Sequence, residues 1–313
     1  EISLDKKRFS VIMDSQTRNL ENKSLDAAYQ IARRKAASIY NKIYYSPLEK
    51  RSIIDKFTLD DVKSFPNKIF KGIFLEGLVH GNITEKEAMK ISTELRNSLG
   101  FRSINYSDVY SQERIQLNFG ENIYMEHKSK VNNSAYVSLY DLGENKPSDR
   151  VMAMMIDTFI GQPYSMELRT NQQLGYIVAG GAYSRDDYSG MYFIIQSDGY
   201  PANVVEDRSL MFLSNISNLL EKITFQEFNT YKQAVREKIN EKSTSIAEEA
   251  NYRFNNIFNM NNNSQRDEES IKALDEITLD EMKEKILSSL DRSKSKSITV
   301  LLYADQHEQK TSD

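Results

Sequence analysis

The chain has 313 residues, 39% of them hydrophobic and 27% charged, with a formal net charge of −4 and no cysteine. The missing cysteines exclude disulfides, thiol catalysis and cysteine-ligated zinc, and the slightly acidic balance offers no electrostatic grip on nucleic acid. No apolar run approaches the ~18 residues of a membrane span; the profile is globular, with room for two domains of ordinary size.

Residues 7 to 45 read as helix, with Phe9, Ile12 and Met13 and then Leu25, Ala28, Tyr29, Ala32 and Ala36 at helical spacing. Thr58 followed by Asp60 and Asp61 marks a helix N-cap with acids in the first turn, and Pro66 interrupts that helix. Residues 72 to 79 suggest a strand that turns at Gly81-Asn82. Thr84 with Glu87 three residues on forms a capping box for a helix to about Asn97, closed by Gly100. Arg114 to Phe119, Ile123 to Glu126 and Ala135 to Tyr140 carry strand patterns. Met152 to Leu168 is a strongly apolar helix. Two strands follow, Tyr176 to Ala182 and Gly190 to Ser197, joined by a polar Arg185-Asp186-Asp187 loop. Helices are expected over 204 to 223, 225 to 241, 245 to 259 and 279 to 290, and a strand over 298 to 303. Strands that alternate, followed by helices, describe an α+β domain: a mainly antiparallel sheet with helices packed on one face.

One passage occurs twice. Asp55-Lys56-Phe57-Thr58-Leu59-Asp60-Asp61-Val62-Lys63 returns as Asp275-Glu276-Ile277-Thr278-Leu279-Asp280-Glu281-Met282-Lys283, five of nine positions identical at an offset of 275 − 55 = 220. The apolar run from Ile73 answers to the run from Ile298. A repeat of this length is a duplicated domain rather than a solenoid. Residues 101–313 are then expected to be one complete domain. Residues 1–100 are expected to be the C-terminal part of a truncated homologous one, whose remainder precedes Glu1.

Recognisable catalytic machinery is absent. The three histidines, His80, His127 and His307, have no other histidine within five residues, so no zinc helix with paired histidines forms. His80 reads as a turn residue at a strand end; His127 and His307 read as exposed polar residues. Glu248-Glu249 and Glu268-Glu269 read as helix-surface charges, and there is no nucleophile elbow or phosphate-binding loop. The segment Leu168-Arg169-Thr170-Asn171-Gln172-Gln173-Leu174-Gly175-Tyr176-Ile177-Val178 is different, crowded with amides at a helix-to-strand junction. As packing, Arg169 caps the helix C-terminus, Gly175 supplies a positive φ and Tyr176 starts the strand.

The same segment, with Phe193-Ile194-Ile195-Gln196-Ser197 and with Leu78-Val79-His80-Gly81-Asn82-Ile83-Thr84 upstream, closely resembles the insulin-degrading enzyme and pitrilysin family of zinc metallopeptidases over nearly the whole chain. The resemblance implies a clamshell of two halves, each of two homologous α+β domains. Zinc sits in the N-terminal half, and the C-terminal half has lost the metal but closes over the substrate. This chain is similar to the C-terminal, non-catalytic half, inactive alone and without a cofactor of its own. Its partners are the N-terminal catalytic half of the same polypeptide and peptide substrates, with no nucleic acid and no membrane span. The family's Arg and Tyr fall on Arg169 and Tyr176, as a substrate carbonyl or carboxylate contact and an auxiliary oxyanion donor. Relatives are periplasmic in bacteria and largely cytosolic in animals, which leaves the compartment open. The alternative is a scaffold or peptide-binding homologue whose whole chain has lost zinc.

Overall fold

A computed structural model describes residues 5–100, 102–110, 113–184, 188–259, 263 and 265–308. By packing, the chain divides into two compact units: Glu1–Lys23 with Tyr45–Glu113 and Lys242–Asn262, and Ser24–Tyr44 with Arg114–Glu241 and Asn263–Asp313. This division cuts across the 100/101 boundary. That boundary concerns the ancestry of the repeat, which packing does not address.

The first unit is helical: α1 (Lys6–Asn22), α3 (Pro47–Ile54), α4 (Leu59–Ile69), α5 (Glu85–Leu99) and α10 (Ile246–Asn259). Its helices start where short polar side chains satisfy the free N–H groups of the first turn. Thr58 Oγ1 accepts from Asp61 N at 3.1 Å, and Thr84 makes the expected capping box with Glu87. Gly100 ends α5 in the left-handed region, at φ 58°. Pro66 does not break α4; the helix runs three residues past it, losing one ladder bond close to its end. Residues 72–79 are not a strand. Within the described residues they make one isolated bridge, Ile73 to Ser103. A strand forms only where a neighbour takes up its N–H and C=O groups.

The second unit holds α2 (Ala28–Tyr40), β1 (Asn122–Lys128), β2 (Ser134–Glu144), α6 (Pro147–Ser165), β3 (Ile177–Ser184), β4 (Tyr188–Ser197), α7 (Ala202–Ser214), α8 (Ile216–Glu221), α9 (Phe225–Ile239), α11 (Arg266–Glu276), α12 (Leu279–Leu290) and β5 (Ser297–Tyr303). Its five strands form one sheet in the order β1-β5-β2-β4-β3. Only the β1–β5 pair is parallel; β2–β5, β2–β4 and β3–β4 are antiparallel. The expected stretch 114–119 contributes a single bridge, Asn41 to Arg114, rather than a strand. The expected helix 204–223 is broken at Asn215, where the backbone (φ −87°, ψ 1°) leaves helical geometry. The long N-terminal helix is likewise divided by a short 3₁₀ turn at Lys23–Leu25. The Arg185-Asp186-Asp187 loop lies outside the described residues.

Alternation on the strands sorts their side chains to the two faces. Tyr136, Phe193, Ile195, Leu301 and Tyr303 join the main core with α6, α7, α9 and α12. Ala135, Val137, Ile194, Val300 and Leu302 face the other way, against Ala28, Ile31, Ala32 and Ala36 of α2. The fold is the expected α+β, a mainly antiparallel sheet with many helices, but α2 also covers the second face. Its alanine stripe is narrow enough to lie flat on a sheet of valine, isoleucine and leucine.

Candidate functional site

The site is built where α6 meets β3. Pro163 lies inside α6 and removes one donor from its hydrogen-bond ladder. Three residues later the helix widens into a π turn over Met166–Asn171, the kind of dilation that recurs at functional positions. Gln172 N donates to Glu167 O at 3.0 Å, and Leu174 N to Leu168 O at 3.0 Å. These bonds span five and six residues instead of four. Leu168 and Leu174 are both buried in the main core and anchor the turn at its two ends.

Side chains brace the same turn. The Glu167 carboxylate accepts from Asn171 Nδ2 at 2.8 Å and from Gln172 Nε2 at 2.9 Å. The Gln172 amide foremost, with that of Asn171, holds the Glu167 carboxyl below the usual carboxylate range. Gln173 carries the left-handed backbone conformation, φ 51°. The positive φ expected at Gly175 is therefore found two residues earlier. Gly175 is needed for a different reason: a Cβ there would sit 1.9 Å from Gln196 O of β4.

Arg169 and Tyr176 emerge from this frame. Both are exposed, Tyr176 by 80%, and the Arg169 guanidinium carbon lies 5.0 Å from the centre of the Tyr176 ring. Such a cation–π contact at an exposed site is worth about 0.5–1 kcal/mol, enough to bias two side chains that solvent would otherwise leave free. Among the described residues neither the guanidinium nor the phenol has a hydrogen-bonding partner. Arg169 therefore does not cap carbonyls of α6. A guanidinium forks onto a carbonyl or carboxylate, and a phenol donates one hydrogen bond. The one signal for Glu167 in the sequence is Asn171 four residues on, the spacing of one helical face; Gln172 is brought to the same carboxylate by the π turn.

The histidines are placed otherwise than expected. His127 and His307 are half-buried rather than exposed, and His80 is exposed beside the Gly81 turn. His307 Nδ1 lies 2.8 Å from Ser134 Oγ, but Ser134 is fully buried and accepts from Ala304 N. That pair stitches the end of β5 to β2 and leaves no room for a substrate. Among the described residues no three His, Asp or Glu side chains converge to hold a metal ion. No helix among them is long and apolar enough to cross a membrane.

Comparison with known proteins gives these features a context. Residues 155–254 match the family described as PQQ synthase PqqF-like, C-terminal lobe domain 4. Insulin-degrading enzyme of Mus musculus is 25% identical over 284 residues, 89% of this chain and 28% of the mouse protein. A nardilysin-like protein of Arabidopsis thaliana is 28% identical over 251 residues, 78% of this chain and 24% of its own length. Among solved structures, pitrilysin superposes with a TM-score of 0.87 at 17% identity, covering 99% of this chain and 33% of pitrilysin. A peptidase M16 inactive domain from Pseudomonas fluorescens gives 0.68 at 14% identity, covering 99% and 73%. The chain spans about a quarter of the length of these two curated relatives. In sequence the chain is similar to insulin-degrading enzyme and to nardilysin-like protein, and it has the fold seen in pitrilysin.

Proposed function

We propose that this chain is the zinc-less C-terminal part of a zinc metalloendopeptidase that degrades peptides, with Arg169 and Tyr176 reaching substrate held at a metal centre in the N-terminal half. The observation that carries the reading is the pair itself: two exposed, mutually stacked polar groups without hydrogen-bonding partners, mounted on a braced turn. Arg169 forks onto a substrate carbonyl or carboxylate. The Tyr176 hydroxyl would donate a hydrogen bond to the oxyanion developing on the scissile carbonyl, while zinc, held by residues of the other half, would supply the activated water. Zinc and the general base belong to the other half, and this half closes the substrate chamber. In isolation it is inactive. Residues 1–100 and 101–313 belong to two related domains of this half, which the matching caps at Thr58 and Thr278 support.

The decisive experiment is Tyr176→Phe in the polypeptide that joins this chain to its zinc-bearing half, assayed on a short internally quenched peptide. Removing one oxyanion donor should lower kcat by roughly 10²–10³ with a far smaller change in KM, because the donor acts mainly in the transition state. A fully active Tyr176→Phe enzyme overturns the role. The likeness to an inactive M16 domain favours one second reading, a scaffold or peptide-binding homologue that has lost zinc altogether. Finding H-x-x-E-H upstream excludes it.

A further inference from the structure

We propose that Glu167 is a positioning residue for this site, fixing the distance and direction at which Arg169 and Tyr176 are presented; the inference rests on the reading of Tyr176 above. Three acceptors of one residue close the turn. The Glu167 carbonyl takes the Gln172 N–H, and its two carboxylate oxygens take the Asn171 and Gln172 side-chain amides. The residues so tied lie four and five positions ahead, so Arg169 and Thr170 are held in the span between them.

Among the described residues no other side chain is hydrogen-bonded across the exposed side of the turn. Leu168 and Leu174 anchor its buried side, and Gly175 is pressed against Gln196. Arg169 and Thr170 themselves are exposed. An exposed turn without a brace samples many backbone states, and ordering each residue has an entropic cost. Ordering it beforehand removes that cost from the reaction step. Among the described residues no ion pair joins Glu167 to Arg169. The carboxylate therefore leaves the guanidinium charge free for substrate, and its effect on catalysis passes through geometry.

The test is a double-mutant cycle in the full polypeptide with the same quenched peptide. Glu167→Ala should lower kcat by about tenfold to a hundredfold, since small misplacements of a reacting group cost on this scale. KM should change little. Glu167→Gln keeps the length and one amide-accepting oxygen and should recover most of the rate. In the Tyr176→Phe background, Glu167→Ala should cost clearly less than in the parent, with only the Arg169 contact left to misplace, because residues acting as a unit are not additive. If Tyr176→Phe is slow but Glu167→Ala is as active as the parent, the positioning role is wrong. Effects that multiply also overturn it, as does a Glu167→Gln enzyme no better than Glu167→Ala. If Tyr176→Phe is itself fully active, the reading of Tyr176 fails, and the positioning role that rests on it falls with it.

Discussion

Gly175 and Gln196 approach so closely that a single added methyl carbon at Gly175 would lie 1.9 Å from the Gln196 carbonyl oxygen. Gln196 pairs with Ile177 in β3 and Ala135 in β2, and its side-chain Oε1 accepts from Tyr29 N of α2 at 3.1 Å. The loop bearing Arg169 and Tyr176 is thus pressed onto a strand with neighbours on both sides, so the loop must give way to any side chain at 175.

Gly175→Ala should therefore destabilise the chain by about 1–3 kcal/mol, the usual cost of overpacking against backbone. Urea unfolding followed by far-ultraviolet circular dichroism measures it. An alanine variant with the parental midpoint would mean that the loop has room to move.

Arg169→Ala and Tyr176→Phe should leave folding of the chain almost untouched, within about 0.5–1 kcal/mol, since both side chains are exposed and the lost contact is small. In the full polypeptide Arg169→Ala should weaken binding and turnover together. A large loss of thermal stability in either variant returns the pair to a purely structural role.

Thr278 and Glu281 form a capping box at the start of α12: Thr278 Oγ1 accepts from Glu281 N at 3.2 Å, and Glu281 Oε2 accepts from Thr278 N at 2.8 Å. The Thr278 backbone N–H foremost, then its hydroxyl, lowers the Glu281 pKa. A carboxylate depressed in the folded state contributes stability above its unfolded value, about 4.3, and loses it as pH falls through the folded value. Glu281→Gln should therefore lower Tm at pH 7 and leave it nearly unchanged at the acid end, flattening the Tm profile below about pH 5. Thr278→Ala should cost about 0.5–2 kcal/mol at neutral pH. Parallel Tm profiles for parent and Glu281→Gln would contradict the linkage.

Protein purified without an affinity tag should hold far less than one zinc per chain by elemental analysis. A stoichiometric zinc that a chelator removes together with peptide cleavage would place a metal centre in this chain and contradict the proposed division of labour.

Local rules were legible wherever the deciding atoms are close in sequence. Thr58, Thr84 and Thr278 cap helices as read, because each box closes within three residues. Thr58 and Thr278 share nearly the same backbone angles, φ −102° and −101°. Thr224 makes the same box outside the repeated passage, so the cap alone does not prove duplication. The alternation of residues 135–140 and the apolar run in 190–197 identified strands that are buried on both faces.

By itself, the sequence determined the α+β class, the helix starts capped by Thr58 and Thr84, the strands of the main sheet and the segment 168–178 as the place to look; it did not separate α3 or α11, and it began α6 five residues late. Tertiary structure decided what depends on a distant neighbour. Ile73 to Val79 has a strand's composition, yet within the described residues it makes only the single bridge to Ser103, and a strand without partners leaves its backbone groups to water. Residues 28–40 looked like part of one long helix, but their alanine stripe belongs to the second face of the sheet. Gly175 was read for its freedom at positive φ, whereas the left-handed residue is Gln173 and the glycine is required by a strand 21 positions away, Gln196. Propensity, capping and side-chain period act within a few residues and can be read along the chain. Close approach, strand pairing and the stacking of Arg169 on Tyr176 are set by elements that meet only after the chain has folded.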